Sequence, residues 1–267
     1  MSISLVVVTR DRFPYLRRLL DYYAEHRYRG PILVADASVR NSEIEAAGLR
    51  ARFANRLDLN LTTYPAGTSV QDRMHSEILK VCTPFMTWVG DDDFLVPAAL
   101  EKAAQRLSDD PGCSAVVGNA LLFEVEGDEA RGRILRIGPY AQYGYAGTSP
   151  WLRLLSYIEN PCALTFAVRR TIFARELWSI IRDHHWPSEV YFHAFYEMLD
   201  AAISVIAGTV WRCPSLTLVR QVRTANAVPS VPEWRSVSSI VGKQEFASFL
   251  GSLAAILVDE IQKHSRE

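Results

Sequence analysis

Phe85-Met86-Thr87-Trp88-Val89-Gly90-Asp91-Asp92-Asp93-Phe94 is an apolar run that stops in three consecutive carboxylates. Apolar, β-prone residues ending at a glycine predict a buried strand that surfaces at its C-terminal end. In open α/β sheets, ligands gather at that edge. Three adjacent acidic side chains repel one another unless water or a cation screens them. Hard divalent cations such as Mg²⁺ or Mn²⁺ take carboxylate oxygens and keep positions open for phosphate, so the stretch points to a metal–phosphate ligand. A solvated acidic turn capping a helix that opens near Pro97 fits the same residues, because Asp favours turns and helix N-termini.

Upstream, strand and helix alternate. Residues 3–8 are a β-branched run, and Phe13-Pro14-Tyr15 opens a helix in whose first turn proline is well placed. Leu16, Leu19, Leu20, Tyr23 and Ala24 repeat at helical spacing until Gly30-Pro31. Residues 32–35 restart as a strand that breaks at Asp36-Ala37-Ser38. This βαβ unit predicts parallel strands. A short helix follows Ser42, with Glu43 and Glu45 where the macrodipole favours them. Leu57, Leu59 and Leu61 alternate as a third strand. Thr68-Ser69-Val70-Gln71 reads as a capping box for a helix with the stripe Val70, Met74, Ile78 and Val81. The whole predicts an α/β sheet with its loops on one edge.

Downstream, Pro97 opens a helix carrying Leu100, Ala104 and Leu107, and residues 113–125 read as one strand or two short ones. Polar residues 127–133 read as a hairpin loop. Residues 138–147, rich in tyrosine and glycine, suit a mobile lid or a sugar-stacking surface, or a loop packed by its own tyrosines. Helices are predicted at 151–158, 171–181 and 187–207, and strands at 162–168 and 210–219. A last helix carries Phe246, Phe249, Leu250, Leu253, Ile256 and Leu257.

A chain of 267 residues suffices for one large α/β domain or two small ones, and one is expected. Its net charge of −1 gives no electrostatic case for a nucleic-acid partner. Cys82, Cys113, Cys162 and Cys213 are too scattered for a zinc site or a disulfide framework, which fits a reducing cytoplasm. The apolar run 3–8 is too short for a signal peptide, and no stretch is expected to span a bilayer.

Taken together, these features resemble the bacterial family 2 glycosyltransferases, from the first strand through the aspartate cluster. In that family a first strand ends in Thr and a polar turn, as Val7-Val8-Thr9-Arg10-Asp11-Arg12 does. A second ends in an acidic residue facing the nucleotide base, as Val34-Ala35-Asp36 does. The metal-binding D-x-D motif follows a helix and a strand, as Gly90-Asp91-Asp92-Asp93 does. Two departures stand out: Ala37 and Ser38 replace the usual second acid and glycine, and Asp72-Arg73-Met74 replaces Ala-Arg-Asn.

The resemblance implies the GT-A fold, a Rossmann-like α/β architecture whose mixed, mainly parallel central sheet is flanked by helices. It implies a single domain in which residues 1–118 bind the sugar nucleotide, 119–232 bind the acceptor and 233–267 form a helical segment. Thr9, Arg10, Asp36, Arg73, Asp91 and Asp92 would contact the nucleotide, and Asp91 and Asp93 would hold Mn²⁺ or Mg²⁺. Asp93 is expected to ligate the metal directly, with Asp91 or Asp92 facing the ribose. Side chains two apart on an extended segment point the same way. The family's catalytic base lies on a helix about three turns before a glycine. Counting back from Gly208 gives Glu197, with Asp200 a turn later and Glu189 as a further candidate. On a long helix such charges are commonly its wet face. His184, His185 and His193 lie nearby and are left outside the metal set. Arg220 and Arg223, just past the 210–219 strand, are placed to meet a diphosphate.

The implied activity is metal-dependent, inverting sugar transfer from a nucleoside-diphosphate sugar to an acceptor hydroxyl, in bacterial surface glycan or glycoconjugate synthesis. The acceptor would be a glycan, a lipid-linked compound or a small molecule, and the location the cytoplasm or the inner face of the membrane. The alternatives are a non-catalytic sugar-nucleotide binder and a nucleotidyltransferase. The latter usually carries a glycine-rich loop at the first strand, and residues 9–14 contain no glycine.

Overall fold

The computed structural model describes residues 2–39, 42–127, 129–224 and 244–265. In the N-terminal half, β1 (Ile3–Thr9), α1 (Phe13–Glu25), β2 (Pro31–Asp36), α2 (Ser42–Phe53), β3 (Asp58–Thr63), α3 (Val70–Lys80) and β4 (Phe85–Gly90) alternate strictly. All four strands are parallel, in the order β3-β2-β1-β4.

β1 explains the layering. Its side chains alternate between two buried faces, so Ile3, Leu5 and Val7 pack with α1, α2 and a later helix, while Val6 packs with α3 and the C-terminal helices. The α1 stripe is wholly enclosed: Leu16, Leu19 and Leu20 have no exposed surface. Each such side chain contributes about 1.5–3 kcal/mol of burial free energy. α3 is capped by Ser69, whose hydroxyl accepts from the Asp72 N–H at 3.0 Å, one residue later than the expected box.

The C-terminal half continues the same sheet. It comprises β5 (Asp93–Leu95), α4 (Pro97–Asp109), β6 (Cys113–Val125), β7 (Ile134–Tyr140), α5 (Pro150–Glu159), β8 (Val168–Arg170), α6 (Thr171–Asp183), α7 (Glu189–Ala207), β9 (Thr209–Val222) and α8 (Gln244–His264). From β4 the order runs β8-β6-β9-β5, with β7 beside β6. Here only β6 and β9 run parallel; the pairings β4–β8, β6–β8, β6–β7 and β5–β9 are antiparallel.

Several expectations change. Residues 113–125 are one strand, but the expected strand at 162–168 is irregular until β8 begins at Val168. The tyrosine-rich segment is not a free lid. Its first residues belong to β7, and Tyr145 is buried and exchanges backbone hydrogen bonds with Val210 at 2.8 and 2.9 Å. α7, with mean hydropathy 1.2 over its most apolar window, is long and apolar enough by composition to cross a bilayer, against expectation. However, 56% of that window is buried within the protein, as in a core helix. The four cysteines are free thiols. The expected boundary between residues 119–232 and 233–267 lies outside the described residues.

Candidate active site

The parallel register levels the strand ends. Thr9 lies opposite Asp36, and Val8 opposite Gly90. Asp91 and Asp92 then form the turn between β4 and β5, so residues 91–93 are not the extended segment expected. Gly90 leaves room for that turn's side chains: a Cβ would come within 2.8 Å of an Asp93 carboxylate oxygen and 2.9 Å of one on Asp92, so both would have to shift.

Arg12, one residue before α1, organises this turn. Its Nε donates to Asp91 Oδ1 at 2.9 Å and its Nη2 to Asp92 Oδ2 at 2.5 Å. The Thr9 hydroxyl donates to Asp91 Oδ2 at 2.6 Å, and the Thr224 hydroxyl to Asp92 Oδ2 at 2.8 Å. Arg18 Nη2 donates to the Asp92 carbonyl at 3.0 Å. Burial works against the Arg12 cation, but Asp91 and Asp92 outweigh it and raise its pKa.

Asp93 has different company. Antiparallel pairing of β5 with β9 sets it opposite Arg220, whose Nε lies 3.4 Å from Asp93 Oδ2. The guanidinium lies 5.2 Å from the Tyr140 ring centroid and 4.6 Å from that of Phe166, and its Nη1 donates to Tyr140 Oη at 3.1 Å. Burial lifts the Asp93 pKa to about 8; Arg220 opposes that rise, while Asp92 and Asp91 add to it.

Glu197 reaches the same place from α7. It is half-buried, accepts from the Tyr196 hydroxyl at 3.3 Å, and is close enough for its charge to act on both Arg220 and Tyr140. Asp200 is instead fully buried and paired with Arg169 at 2.7 Å. Burial raises its pKa to about 6 against the pull of Arg169, and Glu197 adds to the rise. Arg169 also donates to the Leu164 carbonyl at 2.7 Å, fixing α7 to the loop that carries Phe166.

The remaining expected residues divide. Arg73 is buried and donates to the carbonyls of Thr9 and Ala35 at 2.7 and 3.1 Å, clamping the ends of β1 and β2. Asp36 is fully buried and occupied on both oxygens. Ser38 donates to Oδ1 through its N–H at 2.9 Å and its hydroxyl at 2.5 Å, and the Ser42 hydroxyl donates to Oδ2. Those serines explain the departure at 37–38: they satisfy the acid locally. Arg10 is exposed beside Asp11. Arg223 turns away to Glu124 at 2.6 Å, and Glu189 opens α7. His184 packs on Trp186, with ring centroids 4.7 Å apart. Arg12, Arg169 and Phe166 were missed, and Tyr140 was included only within the tyrosine-rich segment 138–147; for Arg12 the available signal was its place in the polar turn after Thr9.

A divalent cation can be tested against this donor set. Among the described residues, no three His, Cys, Asp or Glu side chains converge as a metal site. Both Asp91 oxygens are engaged, whereas buried Asp93 Oδ1 has no hydrogen-bond partner among the described residues. One open carboxylate oxygen does not fit a cation held by protein alone. It does fit a hard cation whose other ligands are diphosphate oxygens and water.

No family model matches the sequence, and no curated protein does. Solved structures match the fold. S. aureus TarS 1-349 in complex with UDP-GlcNAc superposes with a TM-score of 0.60 at 16% identity, over 96% of this chain and 66% of that one. GalNAc-T7 with UDP, GalNAc and Mn²⁺ gives 0.60 at 12% identity, over 98% and 50%. Another TarS structure gives 0.52 at 16%, over 83% and 37%. The chain therefore has the fold of the GT-A glycosyltransferases. It spans 37 to 66% of the length of the TarS chains it matches.

Proposed function

We propose that this protein transfers a sugar from a nucleoside-diphosphate sugar to an acceptor hydroxyl, with inversion. The observation that carries the reading is that two carboxylates distant in the chain neighbour one cation: Asp93 Oδ2 lies 3.4 Å from Arg220 Nε, and Glu197 on α7 is near enough for its charge to act on the same guanidinium. Donor-side and acceptor-side chemistry require acids on opposite sides of one reacting carbon. The neighbours solved with UDP-GlcNAc, or with UDP and Mn²⁺, support a nucleotide donor, and the β1–β2–β4 edge is where ligands gather in open α/β sheets.

In this reading Thr9, Arg12, Asp91 and Asp92 form the rigid floor under the nucleotide, and Arg73 and Asp36 hold that floor in register. Asp93 Oδ1 would hold Mn²⁺ or Mg²⁺ together with the diphosphate; such an ion offsets the charge on the leaving diphosphate. Glu197 accepts the proton of the acceptor hydroxyl as that oxygen attacks the anomeric carbon. Asp200 is assigned to the Arg169 pair that fixes α7 under Glu197. The two halves, 1–118 and 119–232, act as one unit, and the acceptor belongs to surface glycan or glycoconjugate synthesis in the cytoplasm or at the inner membrane face.

The test is a panel of UDP- and GDP-sugars screened for Mn²⁺-dependent thermal stabilisation, since specific ligands stabilise by mass action. Donors that bind are then assayed for transfer to glycan and lipid-linked acceptors. Transfer supports the reading. Binding without transfer to any acceptor makes a non-catalytic binder the better account, and no binding removes the donor site.

A further inference from the structure

Two neighbouring buried atoms in the site have no hydrogen-bond partner among the described residues: Asp93 Oδ1, an acceptor, and Arg220 Nε, a donor. Nε is 3.4 Å from Asp93 Oδ2, an ion-pair distance beyond good hydrogen-bond geometry. β5–β9 pairing fixes the two backbones opposite each other, and Tyr140 and Phe166 hold the guanidinium from the side. A permanent cation therefore stands beside Oδ2 of the same carboxyl group whose Oδ1 a divalent ion would take. With nothing else bound, the two cations repel each other and compete for Asp93. A diphosphate supplies enough negative charge for both, and the guanidinium fork suits its oxygens.

We propose that Arg220 is an exchangeable counter-ion of Asp93: it shields the carboxylate in the free protein and pairs with the diphosphate when donor and cation arrive together. The inference rests on the donor site proposed above. It makes metal and diphosphate binding mutually dependent, because coupling between two ligands is reciprocal. The free protein then takes up metal poorly, and the ion enters with its nucleotide.

The experiment is calorimetry on the full chain with two probes, Mn²⁺ alone and inorganic pyrophosphate in the presence of Mn²⁺. In wild type, pyrophosphate should strengthen Mn²⁺ binding. In Arg220→Gln the two affinities should move in opposite directions: Mn²⁺ alone binds roughly tenfold more tightly as the competing charge is lost, and pyrophosphate with Mn²⁺ binds roughly tenfold more weakly. Arg220→Lys keeps the charge and loses the fork, so Mn²⁺ alone should bind as in wild type and pyrophosphate more weakly. If Arg220→Gln does not fold, the lysine variant decides, and unchanged pyrophosphate affinity in it overturns the proposal. A folded Arg220→Gln protein whose Mn²⁺ affinity is unchanged or weaker overturns it while leaving the donor site intact. Wild-type protein that binds no pyrophosphate with Mn²⁺ overturns both.

Discussion

The two walls of the site hold their carboxylates differently. On the β1–β2–β4 edge, Asp36 and Asp91 accept hydrogen bonds on both oxygens, from Ser38, Ser42, Thr9 and Arg12. On α7, Glu197 is half-buried and receives one tyrosine hydroxyl at 3.3 Å. Saturated acids build a rigid surface, which suits binding, although burial lifts the Asp91 pKa to about 7 against the pull of Arg12. An acid that has to gain and lose a proton needs oxygens that a substrate hydroxyl can still reach. Rigidity on α7 comes instead from below, through the buried Arg169–Asp200 pair.

That difference predicts where damage falls. The largest stability loss should follow from breaking the pair under α7. Arg169→Met alone strands a buried carboxylate and should cost about 3–5 kcal/mol, and Asp200→Leu alone about the same. The double variant should recover most of that, because an apolar pair can replace a buried ion pair at little cost. Urea denaturation of the three proteins checks this; an undamaged single variant would make the pair incidental to the fold.

On the donor edge the effects should be on binding. Asp93→Asn removes the negative charge at an oxygen without a hydrogen-bond partner among the described residues and should weaken Mn²⁺-dependent nucleotide binding by roughly tenfold or more, because a hard cation prefers a carboxylate to an amide. Gly90→Ala should give a smaller loss, because the new methyl displaces the Asp92 and Asp93 carboxylates but removes neither. Calorimetry on both variants ranks them, and the reverse order would contradict the assignment of the open oxygen to Asp93.

The smallest effect is on pH dependence. Because burial raises the folded pKa of Asp200 to about 6 against the pull of Arg169, the folded protein keeps below that pH a proton that the unfolded chain loses near pH 4. The stability linked to that proton is complete below the unfolded value and lost as pH rises through about 6. Between about pH 4 and about pH 7, wild-type Tm should therefore fall more than that of Asp200→Asn. Parallel curves would place Asp200 in a more solvated setting.

The sequence was most legible where local pattern and tertiary role coincide. The run 85–90, the α1 stripe and the break at Asp36 each announce an element through residues a few positions apart. The acidic cluster was legible for the same reason. What could not be read was who neutralises it. Arg12 looks like one polar residue in a turn, and it meets Asp91 only because β1 and β4 pair in parallel. Arg220 looked like a residue beyond a strand, whereas it lies within β9 opposite a three-residue strand, β5, too short to leave a periodic signal. Asp36 was expected to face the nucleotide base, yet Ser38 and Ser42 close on it across a turn. Asp200 and Glu197 are indistinguishable by helical spacing, and only Arg169, arriving from β8, separates them.

The central claim, that the floor binds and α7 reacts, is tested most directly by Glu197→Gln. Donor affinity by calorimetry and transfer rate at saturating donor, Mn²⁺ and acceptor are measured on the same preparation. The account predicts near-wild-type donor affinity with turnover reduced about 10²–10⁴-fold, the size of a lost general base. Turnover within a fewfold of wild type, with Asp200→Asn or Glu189→Gln the damaging change instead, would contradict it.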